Sequence, residues 1–385
     1  MIDALAILAV LILVLYTAWQ LFSLAAWRRV VRQPAPDSNS ALPTIALLVP
    51  FRNEAENLPA LAASLLAQDY SGGLELIFID DHSSDHGATL LPAGVTLLHL
   101  ADYLKGKPVI AHKKAALTYA ITSTEADVII TTDADCYWPA DRVSCIAAAF
   151  AAGADVVLGP VLIAPADSFC NAYQALDMAA YQFLTAATAR QGRPALANGA
   201  NFAFRRQLFN AVGGYQGVDH LPSGDDVLLL HKFYQPDLWP ATKQVSVSKS
   251  IAPPVTHYVA GAAVTTRPVN GWLALWRQRL RWAGKAGNYN NAKLSFAQAL
   301  AFSLSAAIVI SFISLPLHLR PRLVLVLWAG KALIDLICLW PVMIRFGQNK
   351  AMKWYPLASV VYPFFLFGVG TAALLGFTVK WKGRH

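Results

Sequence analysis

Charge is scarce in this chain: 14% of its 385 residues are Asp, Glu, Lys or Arg, against 56% hydrophobic. Soluble globular chains carry about 25% charged residues, so part of this one belongs in lipid. Cysteine is scarce too. The four present, Cys136, Cys145, Cys170 and Cys338, make no CxxC pair and no zinc spacing, which excludes a disulfide framework or metal knuckle and leaves buried thiols in a reducing compartment. No G-x-G-x-x-G turn or P-loop follows any apolar run, which argues against a dinucleotide oxidoreductase or a nucleoside triphosphatase. A basic face is also missing. The net charge of +8 is scattered through short stretches beside apolar runs, such as Arg28, Arg29 and Arg32. That pattern suits a membrane surface and an anionic small substrate, not nucleic acid.

What the chain has instead is long apolar runs at both ends. Residues 2–27 read as an amino-terminal transmembrane anchor whose basic flank, Arg28 to Arg32, lies inside. Its Asp3 start and arginine end fit a retained anchor rather than a cleaved signal peptide. Residues 296–379 read as a carboxy-terminal membrane region of about three spans, Phe296 to Leu317, Leu323 to Ile344 and Tyr355 to Val379. Three crossings would leave Lys380, Lys382 and Arg384 outside, against the positive-inside tendency, so a re-entrant or interfacial run stays open. Within the second run Lys331 and Asp335 are four residues apart and share a helix face, as a structural pair or as a group that meets substrate.

After a linker with Pro34, Pro36 and Pro43, residues 43–271 have ordinary globular composition. Apolar runs Ile45 to Val49, Leu74 to Ile79 and Val128 to Thr132 each end in polar residues before a helical stretch. The pattern predicts an α/β domain with a mostly parallel central sheet that binds its ligand at the carboxyl ends of the strands. Those ends carry Pro50-Phe51-Arg52-Asn53-Glu54, Asp80-Asp81-His82-Ser83-Ser84-Asp85 and Thr132-Asp133-Ala134-Asp135-Cys136. In an extended segment Asp133 and Asp135 fall on one side, where their oxygens can hold Mg2+ or Mn2+; such pairs also occur by chance in loops. Ser223-Gly224-Asp225-Asp226 precedes the apolar Val227 to Leu230. Its carboxylates have two readings, a helix cap or a general base toward an acceptor hydroxyl. Residues 272–291, with Trp272, Trp276 and Arg279, read as an interfacial amphipathic helix.

Taken in order, these segments resemble the membrane-bound family 2 glycosyltransferases, the group of cellulose, chitin and hyaluronan synthases and ceramide glucosyltransferases. The resemblance runs from about Pro43 to Lys285 and is most specific at Gln278-Arg279-Leu280-Arg281-Trp282, which fits the family's Q-x-x-R-W pattern. It implies a GT-A type nucleotide-sugar domain and an inverting, metal-dependent transfer of a hexose. Donor contacts would come from Pro50, Arg52, Glu54, Asp81, Lys113, Asp133 and Arg281, and acceptor contacts from Asn198, Gly199, Gln278 and Trp282. Asp135 would ligate Mg2+ or Mn2+ with Asp133 close by, and Asp226 would be the base, with Asp225 where Glu is often found. The chain departs from the pattern at His112, where Gly is usual before the lysine of a G-K-x-x-A-L segment. The aromatic-cysteine signature of cellulose synthases is absent after Asn198-Gly199-Ala200-Asn201.

The expected partners are a nucleotide-sugar donor, by the same likeness a UDP-sugar, a lipid or glycan acceptor, and membrane lipids. The resemblance places the protein in a bacterial inner membrane with the catalytic domain in the cytosol. Few carboxy-terminal spans favour single addition to a lipid or lipid-linked acceptor, with a processive polysaccharide synthase as the alternative and a non-catalytic nucleotide-sugar-binding scaffold as a third reading. Nothing in the sequence sets the sugar or the oligomeric state.

Overall fold

The computed structural model describes residues 2–30, 41–165, 167–235, 253–289, 291–315, 321–377 and 379. Arg32, Pro34, Pro36, Arg320, Lys380, Lys382 and Arg384 lie outside the described residues. The chain forms two compact units. One comprises Arg29–Leu162 and Thr188–Arg267; the other comprises Met1–Arg28, Ile163–Ala187 and Pro268–His385.

The first unit is built on strands β1 (Ile45–Phe51), β2 (Leu74–Asp80), β3 (Thr96–His99), β4 (Val128–Thr131), β5 (Cys136–Tyr137), β6 (Val156–Leu158), β7 (Val161–Ile163), β8 (Phe202–Arg205), β9 (Thr256–Tyr258) and β10 (Val264–Thr266). Seven of them form one sheet in the order β3-β2-β1-β4-β8-β6-β9, and β5-β10-β7 form a small second sheet. The main sheet is mixed. β3, β2, β1 and β4 run parallel, β8 lies antiparallel to both β4 and β6, and β6 pairs parallel with β9.

β1 and β4 are buried along almost their whole length, as continuous apolar runs must be in a sheet covered on both faces. The helix Arg142–Ala151 shows how the cover is made: Val143, Ile146, Ala147 and Phe150 recur at one-turn spacing and are all buried. From β1 the chain steps outward through β2 to β3, then returns to place β4 on the other side of β1. Such a switch in strand order opens a crevice at the carboxyl ends of the strands, where the polar segments after β1, β2 and β4 converge.

The turns there are tight. Asn53 and His82 adopt positive φ, 52° and 56°. Hydrogen bonds lace the two loops together: Asn53 N–H donates to Ser83 Oγ (3.1 Å), Ser84 N–H to Asn53 Oδ1 (2.7 Å) and Ala55 N–H to Asp85 Oδ2 (2.9 Å).

In the second unit, four helical segments among the described residues are long and apolar enough to cross a membrane: Ala4–Val30, Ala292–Ile313, Pro321–Arg345 and Asn349–Leu374. The chain is an integral membrane protein. The helix after the β-rich unit spans Gly271–Ala283, with Leu275, Arg279 and Leu280 buried; a single 3-10 turn, Ala286–Asn288, follows.

Candidate active site

Threonines fix the first contacts. Thr131, the last residue of β4, donates from Oγ1 to the Gly199 carbonyl (2.8 Å), and Thr132 donates to the Ala200 carbonyl (3.0 Å). The segment Asn198–Asn201 is thereby clasped to the strand end that carries Asp133 and Asp135. Asn201 extends the clasp through its side-chain amide, which donates to Pro160 O (2.9 Å) and Ala262 O (2.7 Å).

Gly199 in turn donates its N–H to Asp226 Oδ2 (2.9 Å). A Cβ at Gly199 would meet Asp225 Oδ2 at 2.9 Å and Lys113 Nζ at 3.1 Å, so a larger residue there would push these side-chain ends aside. Asp226 Oδ1 accepts from Val227 N–H (2.7 Å), which makes Asp226 the N-cap of the helix Val227–Phe233. The cap reading is therefore realised, and it also aims the half-exposed carboxylate. Its neighbour Asp225 is buried.

Lys113 joins the two carboxylate motifs. Its Nζ stands 2.7 Å from Asp133 Oδ1 and 2.9 Å from Asp225 Oδ2. Burial works against the ammonium, but the carboxylates of Asp133, Asp225 and Asp226 outweigh it and hold the pKa well above the ordinary lysine value. Asp135 shows the opposite imbalance. Its carboxyl is pushed up to about 6 by burial and then by Asp133, with a smaller push from Glu54, against a hydrogen bond from Thr266. Asp133 and Asp135 offer oxygen ligands of the kind that a hard divalent cation such as Mg2+ or Mn2+ takes.

At the ends of β2 and of the loop before the helix His112–Thr122, a second group forms. His112 Nδ1 and His82 Nδ1 lie 2.9 and 3.1 Å from the same Asp81 oxygen, and Asp81 N–H donates to Phe51 O (2.8 Å). Among the described residues, Asp81, His82 and His112 are the group of three ligand side chains close enough to share a divalent ion. His82 stands in the strand-end motif Asp80 to Asp85 without a role of its own, and His112 stands out only where glycine is usual. Their convergence on Asp81 depends on sheet register.

Pro50 lies in β1 opposite Ile79. Arg52 follows the strand half-buried, and Glu54 accepts from the Asn57 amide (2.6 Å) as the chain turns into the helix Leu58–Leu66.

Asp81, Lys113, Asp133, Asp135, Asn198, Gly199, Asp225 and Asp226 thus all belong to the β-rich unit. Gln278, Arg281 and Trp282 belong to the other. There the buried charged residue of the Q-x-x-R-W helix is Arg279. It pairs with Asp177 (2.6 Å), donates to Gln278 Oε1 and lies 4.2 Å from the centre of the Trp282 ring. Asp177 lies far away in sequence and had not been singled out.

Residues 46–213 match the profile of the family described as Glycosyl transferase family 2. The match covers less than half of the chain. The chain is 32% identical over 121 residues to an undecaprenyl-phosphate 4-deoxy-4-formamido-L-arabinose transferase of Yersinia enterocolitica, covering 29% of this chain and 35% of that protein. It is 32% identical over 127 residues to the enzyme of the same name from Yersinia pestis, covering 31% of this chain and 37% of that one. The chain spans about a third of the length of these curated relatives. Their names are those of undecaprenyl-phosphate sugar transferases, not of the synthases and ceramide glucosyltransferases in the sequence resemblance. Among solved structures, a mannosyltransferase from Pyrobaculum calidifontis in complex with GDP-Man and Mn2+ aligns over 98% of this chain and 99% of its own, with a TM-score of 0.59 at 18% identity. That likeness establishes a GT-A-like fold with a mixed sheet and apolar helices at both ends.

Proposed function

We propose that the glycosyltransferase segment carries out an inverting transfer of a hexose from a nucleotide-diphosphate donor, a UDP-sugar by family likeness, to a hydroxyl of a lipid or lipid-linked acceptor. The observation that carries this reading is Lys113, which stands between Asp133 of the strand-end motif and Asp225 of the motif at the helix Val227–Phe233. Two sets of carboxylates far apart in sequence are thereby brought to one point.

In this reading Pro50, Arg52, Glu54 and Asp81 face the donor from the ends of β1 and β2. Asp135 and Asp133 would hold Mg2+ or Mn2+, which when bound neutralises the diphosphate charge. Lys113 keeps Asp225 and Asp133 in place and offers a cation to the leaving diphosphate. Asp226, the more exposed carboxylate of its pair, accepts the proton of the acceptor hydroxyl. The freed oxygen forms its bond to the anomeric carbon from the face opposite the diphosphate, whose bond breaks with its electrons to the departing oxygen. Asn198 and Gly199 shape the acceptor side. The roles of Arg281 on the donor and of Gln278 and Trp282 on the acceptor rest on the family resemblance alone. The expected setting is a bacterial inner membrane with this segment in the cytosol.

The relatives' names raise a second acceptor chemistry, a lipid phosphate. A phosphate oxygen is already anionic and has no proton to give up, so it needs no base. Asp226, fixed by two main-chain N–H groups beside Asp225, favours the hydroxyl.

The test is turnover by the full chain in lipid nanodiscs with Mn2+ or Mg2+, across nucleotide sugars and with hydroxyl-bearing and phosphate-bearing lipids. Released nucleotide and product mass are read. One sugar added to a lipid hydroxyl is expected. Transfer to the phosphate lipid alone would replace the acceptor, a ladder of masses would make the protein a processive synthase, and no turnover with any pair would overturn the transferase reading in favour of a scaffold.

A further inference from the structure

The segment from Gly213 to Gly224 delivers Asp225 and Asp226 to the site. On its own it is poorly suited to placing them. Gly213, Gly214, Gly217 and Gly224 all have positive φ, and Gln216, Gly217, Asp219, His220 and Pro222 are exposed. Glycine-rich, exposed backbone has a large conformational freedom to lose.

Two buried lysines oppose that freedom. Lys114 is 2% exposed, and its Nζ donates to Val218 O (2.6 Å) and Leu221 O (2.9 Å). Lys232 is 0% exposed and donates to Gly214 O (2.7 Å) and Gln216 O (2.6 Å). Tyr215 adds a hydrogen bond from its hydroxyl to Asp225 O (3.1 Å). Taking an ammonium out of water is costly, and an apolar side chain would fill the same space without that cost. Among what these two ammoniums gain are four carbonyls of one segment.

Lys114 also directly follows Lys113 on the helix His112–Thr122. Adjacent helical residues point about 100° apart. One ammonium meets Asp225 itself while the next meets the backbone that leads to it.

We propose that Lys114 and Lys232 are positioning residues, which pin the Gly213–Gly224 segment so that Asp225 meets Lys113 and Asp226 faces the acceptor. This rests on the transferase reading above. Neither lysine touches the reacting atoms. Both act through the main chain of the segment, and losing either would misplace the base rather than weaken the donor site.

The experiment compares the full-length protein in nanodiscs with Lys114→Met, Lys232→Met and Lys114→Arg, by hydrogen exchange and by steady-state kinetics. Lys114→Met is expected to speed exchange at residues 213–226 about tenfold, with the rest of the β-rich unit unchanged. Its kcat should fall about ten- to a hundredfold while donor KM stays within about twofold, since a misplacement of about 1 Å has that cost. Lys114→Arg should recover part of kcat, because a guanidinium can also donate to two carbonyls. Lys114→Gln, which keeps donors, is read in the same way if Lys114→Met does not fold. Unchanged exchange at 213–226 in an active enzyme, or a loss of kcat that follows only the folded fraction, would overturn the positioning role alone. A wild-type protein that turns over no donor would defeat the transferase reading and this role with it.

Discussion

Lys331 and Lys113 both stand beside aspartates, in settings that differ in balance. Lys331 lies in the apolar helix Pro321–Arg345 and pairs with Asp335 one turn away, and Asp335 also accepts from Tyr16 Oη (2.7 Å) and Gln20 Nε2 (3.4 Å). The rings of Tyr16 and Tyr362 lie 5.2 and 4.9 Å from its ammonium. One cation meets one anion, and the remaining contacts are neutral. Lys113, in contrast, feels Asp133, Asp225 and Asp226, and Asp135 in turn feels Asp133 and Glu54. The first cluster is closed and neutral, as a polar group in a membrane-spanning helix has to be. The second gathers several carboxylates around one ammonium, an arrangement that clusters at functional sites.

The largest effect that tests this contrast is at the base. Asp226→Asn should lower kcat about a thousandfold or more with a hydroxyl acceptor and leave donor affinity within about twofold. Turnover near wild type would remove Asp226 from the chemistry. Next, Asp135→Ala should weaken Mn2+-dependent donor binding at least about tenfold by titration calorimetry, whereas His112→Ala should change it far less. The reverse order would move the ion to the Asp81, His82 and His112 group.

In the neutral cluster, Asp335→Leu leaves a buried ammonium without its partner and should cost about 3–5 kcal/mol of stability. Adding Lys331→Met should restore most of it, with kcat per folded molecule unchanged throughout. Failure of the double variant to recover would show that this pair does more than hold helices. Gly199→Ala should cost about tenfold in kcat through displacement of Lys113 and Asp225, with a melting temperature close to wild type.

The smallest effect is on pH. Burial lowers the Lys232 pKa to about 8, against the pull of Asp219, while an unfolded chain keeps the ordinary value of about 10.4. Between those values the unfolded state binds the extra proton, so the Lys232 contribution to stability rises with pH from about 8 to about 10 and is level below that. The melting difference between wild type and Lys232→Met should follow this course. A flat difference would mean an ordinary lysine.

Much of this site was readable from local pattern. The runs Ile45 to Val49, Leu74 to Ile79 and Val128 to Thr132 mark strands that the structure ends at Phe51, Asp80 and Thr131, and each motif follows its strand. What the sequence did not disclose depends on distant partners. β8 enters the sheet antiparallel between β4 and β6, a pairing that no local periodicity encodes. Arg279 was visible as one more basic residue on an amphipathic helix, but its pairing with Asp177 required the tertiary structure. Nothing in the local sequence marks Lys114, and only the return of Val218 and Leu221 explains why it is buried.

The clasp of Thr131 and Thr132 on Gly199 and Ala200 sets a fixed gauge between the strand-end carboxylates and Asp226. One end of each contact is main chain, so the gauge changes only if the Thr131, Thr132 or Asp226 side chain leaves its hydrogen bond. An acceptor whose hydroxyl sits one bond deeper must bring the reacting oxygen forward itself. In the proposed transfer, selection among acceptors would then fall to the shape of the rim, and loop exchange around an intact clasp would be the practical route to a new acceptor.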